Sequence, residues 1–302
     1  MSILEVKHLN KSFDSQPILE DVSFSINKGD IVGLIGENGA GKTTLMKLII
    51  GLLKIDSGQI TVCNELVTYG HNKTNQFIGY LPDVPEFYDY MTAREYLVFC
   101  GGIAVSSESD INKRVDELLV LVGLNDSNQK IKSFSRGMKQ RLGVAQALFN
   151  RPKLLICDEP TSALDPIGRQ DILSILESVK QETTIIFSTH IISDIEKICD
   201  RFIILHNHEI KLDLSRSDFL KTYRSQTIEI IFSKESFHLI GELCELFPFK
   251  KGKTNYHIEL VTDDIYQMQQ ELFQYFVKKD VFSDSISVYE AHLEDVLIEV
   301  IR

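Results

Sequence analysis

Gly36-Glu37-Asn38-Gly39-Ala40-Gly41-Lys42-Thr43 stands between an unbroken apolar run, Ile31 to Ile35, and a segment with helical spacing that begins at Thr44. GxxxxGK[ST] in that strand-to-helix setting is the pattern of a phosphate-binding loop. Glycines at 36, 39 and 41 let the backbone turn with its N–H groups inward, and the following helix presents its positive end. Phosphate oxygens then meet donors and a favourable dipole together. The whole loop, Glu37, Asn38, Ala40 and Thr44 included, is the expected contact surface for a nucleotide. Lys42 adds a mobile cation able to reach β- and γ-phosphates, and the Thr43 hydroxyl can complete a magnesium shell.

Downstream, the apolar run Leu154 to Cys157 ends in Asp158-Glu159, an arrangement that delivers two carboxylates to the sheet edge beside the loop. Side chains alternate along a strand, so Asp158 can serve magnesium while Glu159 points towards the γ-phosphate and polarises an attacking water.

Outward from these motifs, β-rich runs alternate with helical periodicity over the first two hundred or so residues, the pattern of an α/β domain with a largely parallel core sheet. Residues 3–9, 22–26 and 58–63 read as an antiparallel β flank. Helical spacing covers 44–53, 92–100, 110–122 and 137–149, and further core strands are expected at 153–157, 184–187 and 202–205. The mostly helical stretch of about 84–150 reads as a lobe inserted into the sheet domain. After His206-Asn207-His208 the pattern restarts as strand, helix, strand, helix, strand (227–232, 236–246, 256–261, 265–278, 285–289). The expected division is therefore an α/β domain over 1–215 and a small α+β domain over 216–302. Leu293, Val296, Leu297 and Val300 form the stripe of a closing amphipathic helix. His206 and His208, with no third ligand nearby in sequence, read as turn residues.

The chain has 302 residues, 43% hydrophobic and 25% charged, with a net charge of −11. Such a composition belongs to a globular protein, and the acidic balance disfavours nucleic acid as a partner. No apolar run approaches the ~18 residues of a membrane span. The opening MSILEVKHLNKSF lacks a basic region followed by a long apolar core, so a cytosolic location is expected. Five cysteines without a CxxC pair read as reduced packing residues.

Between the two phosphate-site motifs lies Ser133-Phe134-Ser135-Arg136-Gly137-Met138-Lys139-Gln140-Arg141-Leu142. With it the chain resembles the ATP-binding cassette family. The order is the family's: loop, signature, Asp158-Glu159, Ser162 to Asp165 as D-loop, and His190 as switch histidine. The resemblance covers roughly residues 1–210 and implies a P-loop ATPase whose two copies dimerise head to tail. Each ATP would lie between one copy's loop and the other's signature, facing Ser135, Arg136, Gly137 and Met138. It further implies that His190 contacts the γ-phosphate and holds the attacking water with Glu159, that Asp165 of the D-loop helps bind the nucleotide, and that Phe13 stacks on adenine. Without the family, His190 reads as a packing residue, and Phe13 is equally a core residue. Asp165 before Pro166 also suits a helix cap.

Two departures from the family pattern matter. Asp83 follows Gly79-Tyr-Leu-Pro82 where the family usually has Gln, bringing a charge to a magnesium ligand position. Arg136 replaces a common Gly and is either a further cation at the triphosphate or solvent-facing.

The expected function is an ATP-binding, ATP-hydrolysing subunit of a transporter, with ATP and Mg2+ as ligands. The resemblance also implies a separately encoded membrane permease, a second cassette that is a copy of this chain, and a peripheral location on the inner membrane face. The aromatic stretch after Asp83 is the candidate permease groove. Residues 288–299 resemble the tail of ATPases in bacterial drug and peptide-antibiotic export systems, which implies export. The alternatives are a non-transport ATPase acting on ribosome or nucleic acid, and an ATP-sensing regulatory module.

Overall fold

The computed structural model describes residues 2–70, 73–104, 108–125, 128–223, 226–232, 240–247, 249–250, 256–262, 264–280, 282–289 and 293. The chain divides into two compact units, Met1–Arg216 and Ser217–Arg302.

The first unit is organised by β3 (Ile31–Ile35), whose five residues are all buried. A strand covered on both faces reads as a continuous apolar run, and the neighbours it finds are parallel. They are β8 (Thr184–Thr189) on one side and β9 (Arg201–His206) on the other. With β6 (Ile78–Leu81), β7 (Leu154–Cys157) and β10 (Glu209–Ser215) the sheet order is β10-β9-β3-β8-β7-β6, and only β10 is antiparallel to its neighbour. A second sheet, in the order β2-β1-β4-β5, is antiparallel: β1 (Ser2–Phe13), β2 (Gln16–Asn27), β4 (Ser57–Val62) and β5 (Glu65–Leu66). Helix α1 (Lys42–Ile49) shares one core with both sheets, its Leu45, Met46, Leu48 and Ile49 buried with Val6 and Phe24 of the flank and Ile156 and Ile186 of the central sheet.

The helical lobe is inserted between β6 and β7, which are neighbours in the sheet. It carries α2 (Ala93–Ala104), α3 (Glu108–Leu121) and α4 (Arg136–Ala147). Glycines bring α4 onto the sheet edge. A Cβ at Gly79 would stand 2.1 Å from the Ala147 carbonyl oxygen, and one at Gly143 2.6 Å from Leu81.

The structure also holds elements that the periodicity did not reveal. Strand β6 is four residues long with a glycine in it, too short for a pattern. Helix α5 (Pro166–Val179) follows the Asp165 cap, and α6 (Ile192–Ile198) spans only two turns. Helix α1 starts at Lys42 rather than Thr44 and ends at Ile49 rather than 53, because Gly41 is its left-handed N-cap and the next turn folds back on Lys47. His206 and His208 flank Asn207 in the tight β9–β10 hairpin, with Asn207 and His208 at positive φ. Among the described residues no group of His, Cys, Asp and Glu could hold a metal by itself.

The second unit holds an antiparallel sheet in the order β12-β13-β11-β14, built from β11 (Gln226–Phe232), β12 (Phe249–Lys250), β13 (His257–Thr262) and β14 (Ser283–Tyr289). Helix α7 (Arg216–Tyr223) begins at the boundary; α8 (Ile240–Leu246) and α9 (Ile265–Lys279) follow. Alternate residues Ile228, Ile230 and Phe232 meet Met268, Leu272 and Phe276, spaced four apart along α9, in one core. Of the expected closing helix only Leu293, which is buried, is described; Val296, Leu297 and Val300 lie outside the described residues, as do 236–239.

Candidate functional site

The loop after β3 is shaped by two distinct glycine requirements. Gly36 leaves no space for a side chain, since a Cβ would stand 2.6 Å from the Leu205 carbonyl oxygen. Gly39 and Gly41 adopt φ of +87° and +102°, a region L-residues rarely occupy. Lys42 is 6% exposed, its ammonium donating to the carbonyls of Gly36 at 2.7 Å and Glu37 at 3.1 Å. The loop therefore holds its own cation over the turn.

Parallel pairing of β7 with β8 brings the carboxyl ends of both strands to this loop. Asp158 is buried and accepts a 2.7 Å hydrogen bond from the Ser188 hydroxyl, whose oxygen in turn accepts from the Glu159 N–H at 3.0 Å. Glu159 turns away at φ +47°, so the two acids face different partners. Its Oε1 lies 3.7 Å from the Lys42 ammonium and its Oε2 2.8 Å from His190 Nδ1. An ionised carboxylate only accepts, so His190 donates Nδ1–H to it and keeps Nε2 as the outward nitrogen. Ser188 was not foreseen; its one signal is its place in Ser188-Thr189-His190 at the end of a buried strand.

Lys42, Asp158, Glu159 and His190 line a cleft of about 560 Å3 together with Phe13, Ile18, Asn38, Gly39, Gly41, Thr43, Thr44, Asp83 and Ser162. Phe13 is 43% exposed, which removes it from the core, and Lys11 stands 4.9 Å from its ring centroid. Asp83 has one carboxylate oxygen buried without a hydrogen-bond partner among the described residues. Burial, with the charges of Asp158 and Asp83, pushes the nearby Tyr80 phenol up to about 12. Burial likewise raises the Cys157 thiol well above its ordinary value, which makes it a packing residue.

Ser135, Arg136, Gly137 and Asp165 line a separate cleft of about 380 Å3, so Lys42 and Ser135 are not brought together within one chain. Here α4 and α5 both begin. Ser135 Oγ accepts from the Met138 N–H at 3.2 Å, and Asp165 Oδ1 from the Gly168 N–H at 2.9 Å, so each residue caps its helix. A Cβ at Gly137 would meet nothing closer than Ser135 Oγ at 4.0 Å, and Arg136 is exposed. On the lobe, Tyr88 packs edge-on against Phe99 at 5.5 Å and stands 5.9 Å from Tyr90, and all three rings are exposed.

Residues 19–162 match the ABC transporter family. The bacitracin transport ATP-binding protein BcrA of Bacillus licheniformis is 33% identical over 311 residues, covering 99% of this chain and 97% of BcrA. The linearmycin resistance ATP-binding protein LnrL of Bacillus subtilis (strain 168) is 37% identical over 231 residues, covering 75% and 73% of the two chains. Among solved structures, the ADP conformation of MJ1267, an ATP-binding cassette of an ABC transporter, superposes with a TM-score of 0.67 at 25% identity, covering 74% of this chain and 94% of that one. Among the described residues no helix is long and apolar enough to cross a membrane. The chain belongs to the ATP-binding proteins of ABC transporters and is a nucleotide-binding P-loop ATPase of that family.

Proposed function

We propose that two copies of this chain close head to tail over two ATP molecules and drive a separately encoded permease as an exporter. Residues 1–215 act as the ATP-binding domain and 216–302 as an accessory domain. What carries the reading is the split of the phosphate site into two clefts, one with Lys42, Asp158, Glu159 and His190, the other with the amino ends of α4 and α5. Among the described residues nothing crowds the place of a Gly137 side chain, which suits close approach of a phosphate from a second copy.

The residues divide the chemistry. Loop amides and Lys42 hold the β- and γ-phosphates, and Phe13 offers its free ring face to the base. Thr43, Asp158 and Asp83 suit Mg2+, being hard oxygen donors, with the orphaned Asp83 oxygen as an available ligand. When bound, Mg2+ supplies positive charge against the triphosphate oxygens. Glu159 takes the proton of the attacking water, and His190 fixes the carboxylate and contacts the γ-phosphate. The exposed surface around Tyr88, Tyr90 and Phe99 suits the permease, which would hold the chain at the inner membrane face. Export fits relatives named for bacitracin transport and linearmycin resistance.

Glu159→Gln tests the scheme. The variant should bind ATP, lose hydrolysis by at least about a hundredfold, and become dimeric with ATP by light scattering. A variant that stays monomeric at saturating ATP would overturn the shared-site reading, and equal, negligible hydrolysis in both forms would favour a nucleotide sensor.

A further inference from the structure

Asp194 on α6 is 0% exposed, and neither of its carboxylate oxygens has a hydrogen-bond partner among the described residues. A buried carboxylate without donors loses its hydration and recovers nothing from hydrogen bonding. The cation facing it is Arg169 of α5, whose Nε stands 3.9 Å from Asp194 Oδ2 and is also buried without a partner. Charge-assisted N–H···O contacts close at about 2.7–2.9 Å, so the pair stands roughly 1 Å short of a bond on both sides.

The location of the pair gives this gap a meaning. Arg169 lies one turn into α5, its N–H donating to the carbonyl of the capping Asp165 at 2.9 Å. Asp165 lines the second cleft beside Ser135, and Asp165, Pro166 and Ile167 are exposed. Asp194 lies one turn after His190, its N–H donating to the Ile191 carbonyl at 3.2 Å, and the Ile191 N–H donates to Thr189 Oγ1 at 3.0 Å. Helix α6 is seated tightly on β3: a Cβ on Gly33 would stand 2.9 Å from Ile195. Thus one end of the ion pair is anchored to the sheet beside His190, and the other belongs to an outward-facing turn.

We infer that Arg169 and Asp194 are positioning residues for hydrolysis. A second copy pressing on the Asp165 turn closes the pair, and the closed pair holds the His190 loop in place against Glu159. The inference rests on the head-to-tail reading above and adds a route by which docking at one cleft reaches the histidine of the other.

The test uses the full chain with ATP and magnesium, comparing Asp194→Asn, Arg169→Gln, their double variant and Arg169→Lys. Each neutralising variant should lower kcat at least about tenfold, as displaced catalytic groups do, while equilibrium ATP affinity stays within about twofold. The double variant should be no slower than the slower single one, and Arg169→Lys should recover part of the rate. Arg169, being partly exposed, reads the same coupling if Asp194→Asn folds poorly. Unchanged kcat in Arg169→Gln, or losses that multiply in the double variant, would overturn the coupling. Glu159→Gln alone separates the two levels: if it dimerises with ATP while the pair variants hydrolyse normally, only the coupling fails. If it never dimerises, the head-to-tail reading falls and the coupling with it.

Discussion

Gly39 and Gly41 both hold left-handed backbone, yet under different constraints. Around Gly39 a Cβ would meet nothing within 4 Å, so Gly39→Ala bears only the conformational cost, about 1 kcal/mol. At Gly41 the same Cβ would press on the Ile18 carbonyl oxygen at 2.9 Å and Leu19 at 3.0 Å. Gly41→Ala should therefore cost about 3 kcal/mol, conformational strain plus overpacking, and the order of the two variants is read directly from urea unfolding midpoints. At this scale much was legible in advance: the loop and the Asp158-Glu159 pair are identified by residue type and spacing, and His190 by the family resemblance. Three things were not. Ser188 carries no motif of its own, yet it bridges Asp158 and the Glu159 backbone. Phe13 could be given to core or surface only once its neighbours were known. Arg169 and Asp194 are 25 positions apart on different helices, and no spacing rule joins them.

Elements were legible in proportion to their length and apolar regularity. The continuous runs of β3, β7, β8 and β9 and the amphipathic helices of the lobe were visible, whereas β6 and α6 were too short for a period to declare itself. Strand β6 matters because it joins lobe to sheet through glycine contacts. Gly79→Ala would place a carbon 2.1 Å from the backbone oxygen of Ala147 at the end of α4. Since that oxygen cannot move without the helix, the variant should lose about 3 kcal/mol of stability, measured by thermal unfolding. It should also weaken hydrolysis, because α4 carries Ser135 at its amino end.

For the molecule as a whole, acid should loosen the lobe before the sheet. Glu95 is held below its ordinary 4.5 by the Thr92 N–H and Lys130, and Glu117 by Arg114 and Arg151. A carboxyl whose folded value is depressed stabilises the fold above its unfolded value and loses that contribution as pH falls through the folded one. Below about pH 4.5, then, amides of α2 and α3 should lose hydrogen-exchange protection ahead of those in β3 and β8. Both groups are exposed, so the effect should shrink further in high salt. The family resemblance pointed to the signature turn and to His190, whereas the order of residues along the chain by itself determined the fold class, the Lys42 loop and the Asp158-Glu159 pair. These follow from local backbone geometry, apolar period and residue type, which act over a few positions. Only the tertiary structure decided that the signature turn and the Lys42 loop open into different clefts, that Ser188 joins the two acids' neighbourhood, and that Arg169 faces Asp194 across a gap. Those facts depend on which strands pair and which helices abut, and packing of that kind has no signature at short range in sequence.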